Sequence, residues 1–317
     1  MTTVVVIEGP EHAGRELTIE QPILGDGVDI VRAVYSGVDS ATVQACRNAK
    51  VVLTDYVPFL RAVMEQLPRL KLISVAATGY DNIDIAAARD QGIRVCAIDE
   101  YCTDEVADHA LMLMLALGRR LMDYHAQIQE QHRWQFDSFN GLPRFSDLTL
   151  GVIGFGRIGR AVAKRAVAFG MSVVVHDPFV EEASFSLDEV LAQSDIVTLH
   201  CSLSADTRNL IDKSAFRKMH KAPMLINVAR GGLIVEADLV WALDEGLVSA
   251  AGLDVLQKEP PDLEQSALTG RPNVIVTPHV AFYSDASIRQ NRSLSAQNIR
   301  YFLDGNDESV RKYVGNT

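Results

Sequence analysis

Three side chains of complementary chemistry stand at the ends of apolar runs: Arg230 in "INVARGGLI" (226–234), Glu259 in "GLDVLQKEPP" (252–261) and His279 in "NVIVTPHVA" (273–281). An arginine presents a planar fork that a carboxylate can grip with two hydrogen bonds. A histidine, with an ordinary pKa of about 6.5, can donate a proton near neutral pH. Glu259, 20 residues before His279, could orient the imidazole and favour its charged form. Reduction of a 2-keto acid needs this set: a cation for the carboxylate, an acid for the carbonyl oxygen, and a hydride donor. Singly, each residue has an ordinary structural reading, a packed histidine, a solvated glutamate or an arginine paired in the core. Together, behind the fingerprint described next, the chemical reading is the stronger.

The hydride donor has its own signature. In "TLGVIGFGRIGRAVAKRAVAFG" (149–170) an apolar strand leads into Gly154, Gly156 and Gly159 and then into a helix. The three glycines serve a tight turn, close approach of the backbone to a pyrophosphate, and close packing of helix on strand, while the helix start supplies free N–H groups. Asp177 ends the next strand, 21 residues beyond Gly156, where a carboxylate can accept from an adenosine ribose and repel a 2′-phosphate. NAD is therefore the expected cofactor, in preference to NADP, with Arg157 and Ile158 of the loop beside it. No metal site is expected.

These residues need strands to carry them. Ten short β-branched runs punctuate the chain, at 3–9, 51–55, 71–76, 93–98, 149–154, 172–177, 195–200, 223–229, 250–255 and 273–278. Continuous apolar runs are strands buried on both faces, as in parallel sheets covered by helices. The pattern predicts a long helix from Thr103, as its cap, through nearly thirty residues; the alternative is two helices broken near Gly118. A last helix over "DASIRQNRSLSAQNIRYFLDG" (285–305) finds no sheet in the second half and is expected to return to the first. The fold class is thus α/β, with two doubly wound parallel-sheet domains. Residues 101–284 form a Rossmann-type NAD-binding domain inserted into a discontinuous, flavodoxin-like substrate domain of residues 1–100 and 285–317.

The totals exclude other classes. The chain has 317 residues, enough for two domains, and a net charge of −11, which opposes nucleic-acid binding. "ALMLMLALG" (110–118) is too short to span a bilayer, and the N-terminus lacks the pattern of a secretory signal, so a cytoplasmic address is expected, with no membrane partner. Cys46, Cys96, Cys102 and Cys201 lack zinc-type pairing and are read as apolar residues or free thiols.

The segments "GVIGFGRIGRAVA", "HDP", "NVARGGLI", "GLDVLQKEPP" and "NVIVTPHVA", with "ATGYDNID" (77–84), occur in an order that resembles the D-isomer-specific 2-hydroxyacid dehydrogenase family. The resemblance implies the roles given above for Arg230, Glu259 and His279. It puts Ala229 and Asp254 at the cofactor, Asp254 near the nicotinamide carboxamide. It brings the N–H groups around Thr78 and Gly79 to the substrate carboxylate. It also implies a homodimer formed through the nucleotide domain, with "HRWQFDSFNGLPRF" (132–145) near the partner. The first half is similar to glycerate dehydrogenases and hydroxypyruvate or glyoxylate reductases, so a small 2-keto acid is the expected substrate. "TPHVAFYSDASI" (277–288) is similar to the C-terminal-binding protein branch, which makes an NADH-sensing interaction protein with weak activity the alternative; oxidation of an inorganic anion such as phosphite is a third. Phe282 stands where that branch has tryptophan and offers an aromatic wall to the substrate. Two further departures are Ala77, where many relatives have glycine, and "VADH" (106–109) in place of Ala-Glu-His.

Overall fold

Apolar runs without alternation become strands covered on both faces, and the chain builds two such sheets. The computed structural model describes residues 2–9, 16–35 and 40–315. The chain divides into one unit of Met1–Tyr101 with Ser284–Thr317 and a second of Cys102–Tyr283.

The first unit contains β1 (Thr2–Glu8), α1 (Glu20–Leu24), β2 (Val28–Val34), α2 (Ser40–Cys46), β3 (Val51–Thr54), α3 (Arg61–Met64), β4 (Leu72–Val75), α4 (Ile85–Asp90) and β5 (Arg94–Cys96). In the second lie α5 (Thr103–Gly118), α6 (Leu121–Gln129), β6 (Thr149–Ile153), α7 (Arg157–Ala168), β7 (Ser172–His176), α8 (Leu187–Gln193), β8 (Ile196–Leu199), α9 (Lys213–Arg217), β9 (Met224–Asn227), α10 (Glu236–Asp244), β10 (Ala250–Leu253) and β11 (Val274–Val276). The chain then returns to the first unit as α11 (Asp285–Leu303) and β12 (Tyr313–Val314).

The first sheet runs β12-β5-β4-β3-β1-β2, and its parallel part has the flavodoxin-like order 2-1-3-4-5. Along β1, Val5 and Ile7 enter the apolar layer that includes Val63, Met64, Ala87 and Ala88 of α3 and α4, while Val4 and Val6 enter the layer of Leu24, Ala296 and Ile299 from α1 and α11. That two-sided burial is why the run reads "TVVVIE" without alternation. Two strands differ from expectation. β2 was not expected: it is an edge strand in which only Val28 is buried, and it carries Asp29 and Arg32, so it lacks the apolar signal. β12 is only two residues long and pairs antiparallel with β5, Tyr313 opposite Cys96.

All six strands of the second sheet are parallel, in the order β11-β10-β9-β8-β6-β7. One strand, β7, lies beyond β6, and the order reverses between β6 and β8, the switch point at which open α/β sheets bind ligands. The single long helix is corrected: α5 ends at Gly118, and Arg120 takes the left-handed region (φ 49°) before α6 begins. Gly118 has a physical reason, since a Cβ there would collide with the Phe145 ring. Thr103 is also corrected, because Cys102 takes the cap position and Thr103 is the first helical residue. At the other helix, Ser284 caps α11 by accepting from the Ser287 N–H, and Gly305 (φ 73°) follows its end. No helix among the described residues is long and apolar enough to cross a membrane.

Candidate active site

The glycine loop lies where the second sheet reverses. Gly154 (φ 92°) could carry no side chain, because a Cβ would strike the backbone of His200 and Cys201 beyond β8. A Cβ on Gly159 would meet the Gly154 carbonyl, so that glycine lets α7 lie close on β6. Gly156 has nothing within 4 Å of the same position, and it precedes α7 without a side-chain cap on the helix N–H groups. Open space in front of uncapped helix N–H groups suits a pyrophosphate, so the residues fit a dinucleotide. Asp177 borders the loop. One carboxylate oxygen accepts from the Phe155 N–H at 2.7 Å and the other from the Phe179 N–H at 2.9 Å. These bonds fix the carboxylate and leave each oxygen a further lone pair for a sugar hydroxyl. Behind the loop, burial pushes the His200 imidazole down to about 3, which keeps it neutral, and raises the Cys201 thiol to about 11.

At the ends of β9, β10 and β11 stand Arg230, Glu259 and His279. The buried Asn227 builds the first of these positions by donating to the Arg230 carbonyl (2.9 Å) and accepting from the Ala229 N–H (3.0 Å). The Arg230 guanidinium, half-buried, donates to the Ala229 carbonyl at 2.9 Å. The Gly231–Gly232 pair is required by packing. A Cβ on Gly231 would collide with the Leu256–Gln257 backbone, and one on Gly232 would press on Leu203, so these glycines make room for the chain itself. Through Gly231 the arginine loop lies against the turn that carries Glu259.

Glu259 ties that turn to the histidine. One carboxylate oxygen accepts from the Leu256 N–H at 2.9 Å, and the other lies 2.7 Å from His279 Nδ1. Burial pushes the Glu259 carboxyl up, but the His279 hydrogen bond and charge, the Leu256 N–H and the Arg230 charge together hold it below the ordinary carboxylate value. With Glu259 ionised, Nδ1 must be the donor in this bond, so Nε2 is the position at which the imidazole can gain or lose a proton. Phe282 presents its ring edge-on to the imidazole at 6.2 Å.

His279 has a left-handed backbone (φ 51°), and Asp254 holds it there. The Asp254 carbonyl accepts from the His279 N–H at 2.8 Å. Its buried carboxylate accepts from the Thr277 hydroxyl (2.5 Å) and from the Val280 and Ala281 N–H groups (2.9 Å each). His109, on α5, approaches the same group, 3.0 Å from Thr277 Oγ1 and 3.5 Å from Asp254. Since the Thr277 hydroxyl donates to Asp254, His109 Nε2 is the donor to Thr277. Burial lowers the His109 pKa and the Asp254 charge opposes that shift.

The structure therefore brings Arg230, Asp254, Glu259, His279 and Phe282 to one end of the second sheet, and Gly154 to Gly159 with Asp177 to its switch point. Thr78 and Gly79 belong to the first unit, in the turn after β4. Sequence reasoning missed Asn227, Thr277 and His109. The only trace of His109 was the "VADH" departure, because a histidine in an apolar helix looks like core.

A family model for the NAD-binding domain of D-isomer-specific 2-hydroxyacid dehydrogenases matches residues 111–281. A glycerate dehydrogenase of Methylorubrum extorquens is 39% identical over 274 residues, covering 84% of this chain and 87% of the relative. A hydroxypyruvate reductase of Blautia hydrogenotrophica is 35% identical over 275 residues, 83% of this chain and 85% of the relative. Among solved structures, a D-lactate dehydrogenase from Aquifex aeolicus, complexed with NAD and lactic acid, superposes with a TM-score of 0.89 at 28% identity over 99% of both chains.

Proposed function

Since the chain belongs to the D-isomer-specific 2-hydroxyacid dehydrogenase family and is an NAD-dependent oxidoreductase, we propose that it reduces a small 2-keto acid to the D-2-hydroxy acid, with glyoxylate and hydroxypyruvate the first substrates to try. The observation that carries the assignment of roles is the 2.7 Å bond between Glu259 and His279 Nδ1, made beside an arginine whose charge reaches the same glutamate.

In this reading the Arg230 fork takes the substrate carboxylate, and the N–H groups around Thr78 and Gly79 take it from the first unit. His279 gives the proton on Nε2 to the carbonyl oxygen as that oxygen gains charge, and Glu259 stabilises the imidazolium until the transfer. Bound NADH supplies the hydride. Asp177 accepts from the ribose hydroxyls, Arg157, Ile158 and Ala229 line the cofactor, and Asp254 stands near the carboxamide. Phe282 closes the pocket against long side chains. The relatives are named for dehydrogenase or reductase activity, and an NADH-sensing interaction protein with weak activity is not favoured. A cytoplasmic homodimer completes the reading; Trp134 and Phe136, 93% and 89% exposed in the segment after α6, support a partner there.

The test is loss of NADH absorbance with glyoxylate, hydroxypyruvate, pyruvate and longer 2-keto acids, each repeated with NADPH. Turnover of a short 2-keto acid with NADH is expected. Silence across the panel, in protein that binds NADH, rejects the reading.

A further inference from the structure

In the first unit, a parallel sheet is closed by one antiparallel strand, and that reversal has a geometric result. Tyr313 of β12 pairs with Cys96 at the end of β5, so the residue before β12 stands where the parallel strands finish. That residue is Lys312. Its carbonyl accepts from the Ala97 N–H at 3.1 Å, and its backbone is left-handed (φ 45°), a costly state for a side chain with a Cβ. From there the ammonium turns onto the loop after β4. It donates to the Thr78 carbonyl at 2.8 Å and lies 5.4 Å from the centre of the Tyr80 ring.

The peptide between Thr78 and Gly79 is one planar trans unit, so its C=O and N–H point in opposite directions. Gripping the carbonyl therefore fixes the direction of the Gly79 N–H. A cation on the carbonyl also draws electron density along the amide and makes that N–H a stronger donor. Among the described residues, the Gly79 N–H meets no acceptor. The loop is anchored on both sides: the Ala77 carbonyl accepts from Ile98 N at 3.2 Å, the Tyr80 carbonyl from Ile83 N at 3.0 Å, and Asn82 donates to the Val57 carbonyl at 2.9 Å. Between these anchors Lys312 supplies the grip on the Thr78 carbonyl.

We infer that Lys312 is a positioning residue for the substrate, orienting and polarising the Thr78–Gly79 peptide so that the Gly79 N–H binds the substrate carboxylate. The inference rests on the reading above that this peptide meets the carboxylate. It adds a cation that acts through the main chain without touching the reacting atoms.

The test compares wild type, Lys312→Met, Lys312→Arg and Arg230→Lys with the best 2-keto acid of the panel, alongside NADH affinity and thermal melting. For Lys312→Met, KM is expected to rise about tenfold, as for a weakened hydrogen bond to a charged group, with kcat within about twofold and NADH affinity unchanged. Lys312→Arg, which keeps charge and donor, should return KM to within about threefold of wild type. An unchanged KM in Lys312→Met overturns the inference, and so does a parallel fall in kcat, NADH affinity and melting temperature, which marks a merely structural lysine. If Lys312→Met does not fold, Lys312→Gln takes its place, with a raised KM in support and an unchanged one against. Arg230→Lys separates the two levels: if it raises KM while Lys312→Met does not, the function stands and this inference falls. If neither raises KM, the carboxylate reading itself is wrong.

Discussion

The carboxyl ends of the two sheets are built from different materials. In the second unit they present side chains, Arg230, Glu259 and His279, with Asp254 and Asn227 buried behind them as supports. In the first unit the corresponding strand end presents main chain, the turn at Thr78 and Gly79, held by an ammonium group. Surroundings and partners set how readily a side chain gains or loses a proton, whereas a peptide N–H is set by the direction of its backbone. In the proposed reading the second sheet supplies both the arginine fork and the proton donor, and the first supplies a main-chain donor.

The comparison breaks most readily at His279. Replacing it with asparagine should lower kcat by about 10²–10⁴-fold with NADH binding kept, the range for loss of a general acid. A kcat close to wild type, with chemistry limiting turnover, removes the proton-transfer role from the second unit. Arg230→Lys keeps the charge but loses the fork, and KM should rise by about one to two orders of magnitude with a smaller change in kcat. Asp177→Ala should reduce the preference for NADH over NADPH by about tenfold, measured as the ratio of kcat/KM values. An unaltered ratio detaches that carboxylate from the ribose.

A finer test uses pH. Reduction consumes a proton that the imidazolium delivers in the proposed reading, so activity is expected to fall at alkaline pH. Glu259→Gln removes the charge that favours the imidazolium, and this alkaline limb should move down by about one pH unit. The smallest effect concerns stability. The buried His200, in the second unit, is lowered from 6.5 to about 3. A depressed folded value means that its contribution is complete above 6.5 and is lost as pH falls toward 3. Acid unfolding followed by limited proteolysis should therefore cut first within residues 102–283, and His200→Gln should delay that cleavage.

Much of this arrangement could be read from the sequence, because the second unit writes its function in side chains. Glycines at fixed spacing, an acidic residue one strand later, and Arg, Glu and His at strand ends are each one letter with a reason. The first unit hides its part, since a main-chain N–H has no letter. Lys312 became visible only when β12 brought residue 312 next to residue 97. β2 escaped because an edge strand with Asp29 and Arg32 lacks the apolar run of a buried one. The break between α5 and α6 was open in sequence, with Gly118 as its one mark. The glycine itself has a tertiary reason, since the Phe145 ring packs where a side chain at Gly118 would stand. His109 escaped for the opposite reason, as its apolar neighbours concealed a hydrogen bond to Thr277.

The return of α11 and β12 to the first unit also orders events in time. On the ribosome the whole of residues 102–283 is made before these two elements, so the contiguous second unit can fold while the first still waits. Until then β5 is a bare edge, able to pair with another chain, and the apolar layer that receives Ala296 and Ile299 is uncovered. The interval before α11 and β12 are made therefore leaves the nascent chain with both an open strand edge and an open apolar layer, the features that favour aggregation.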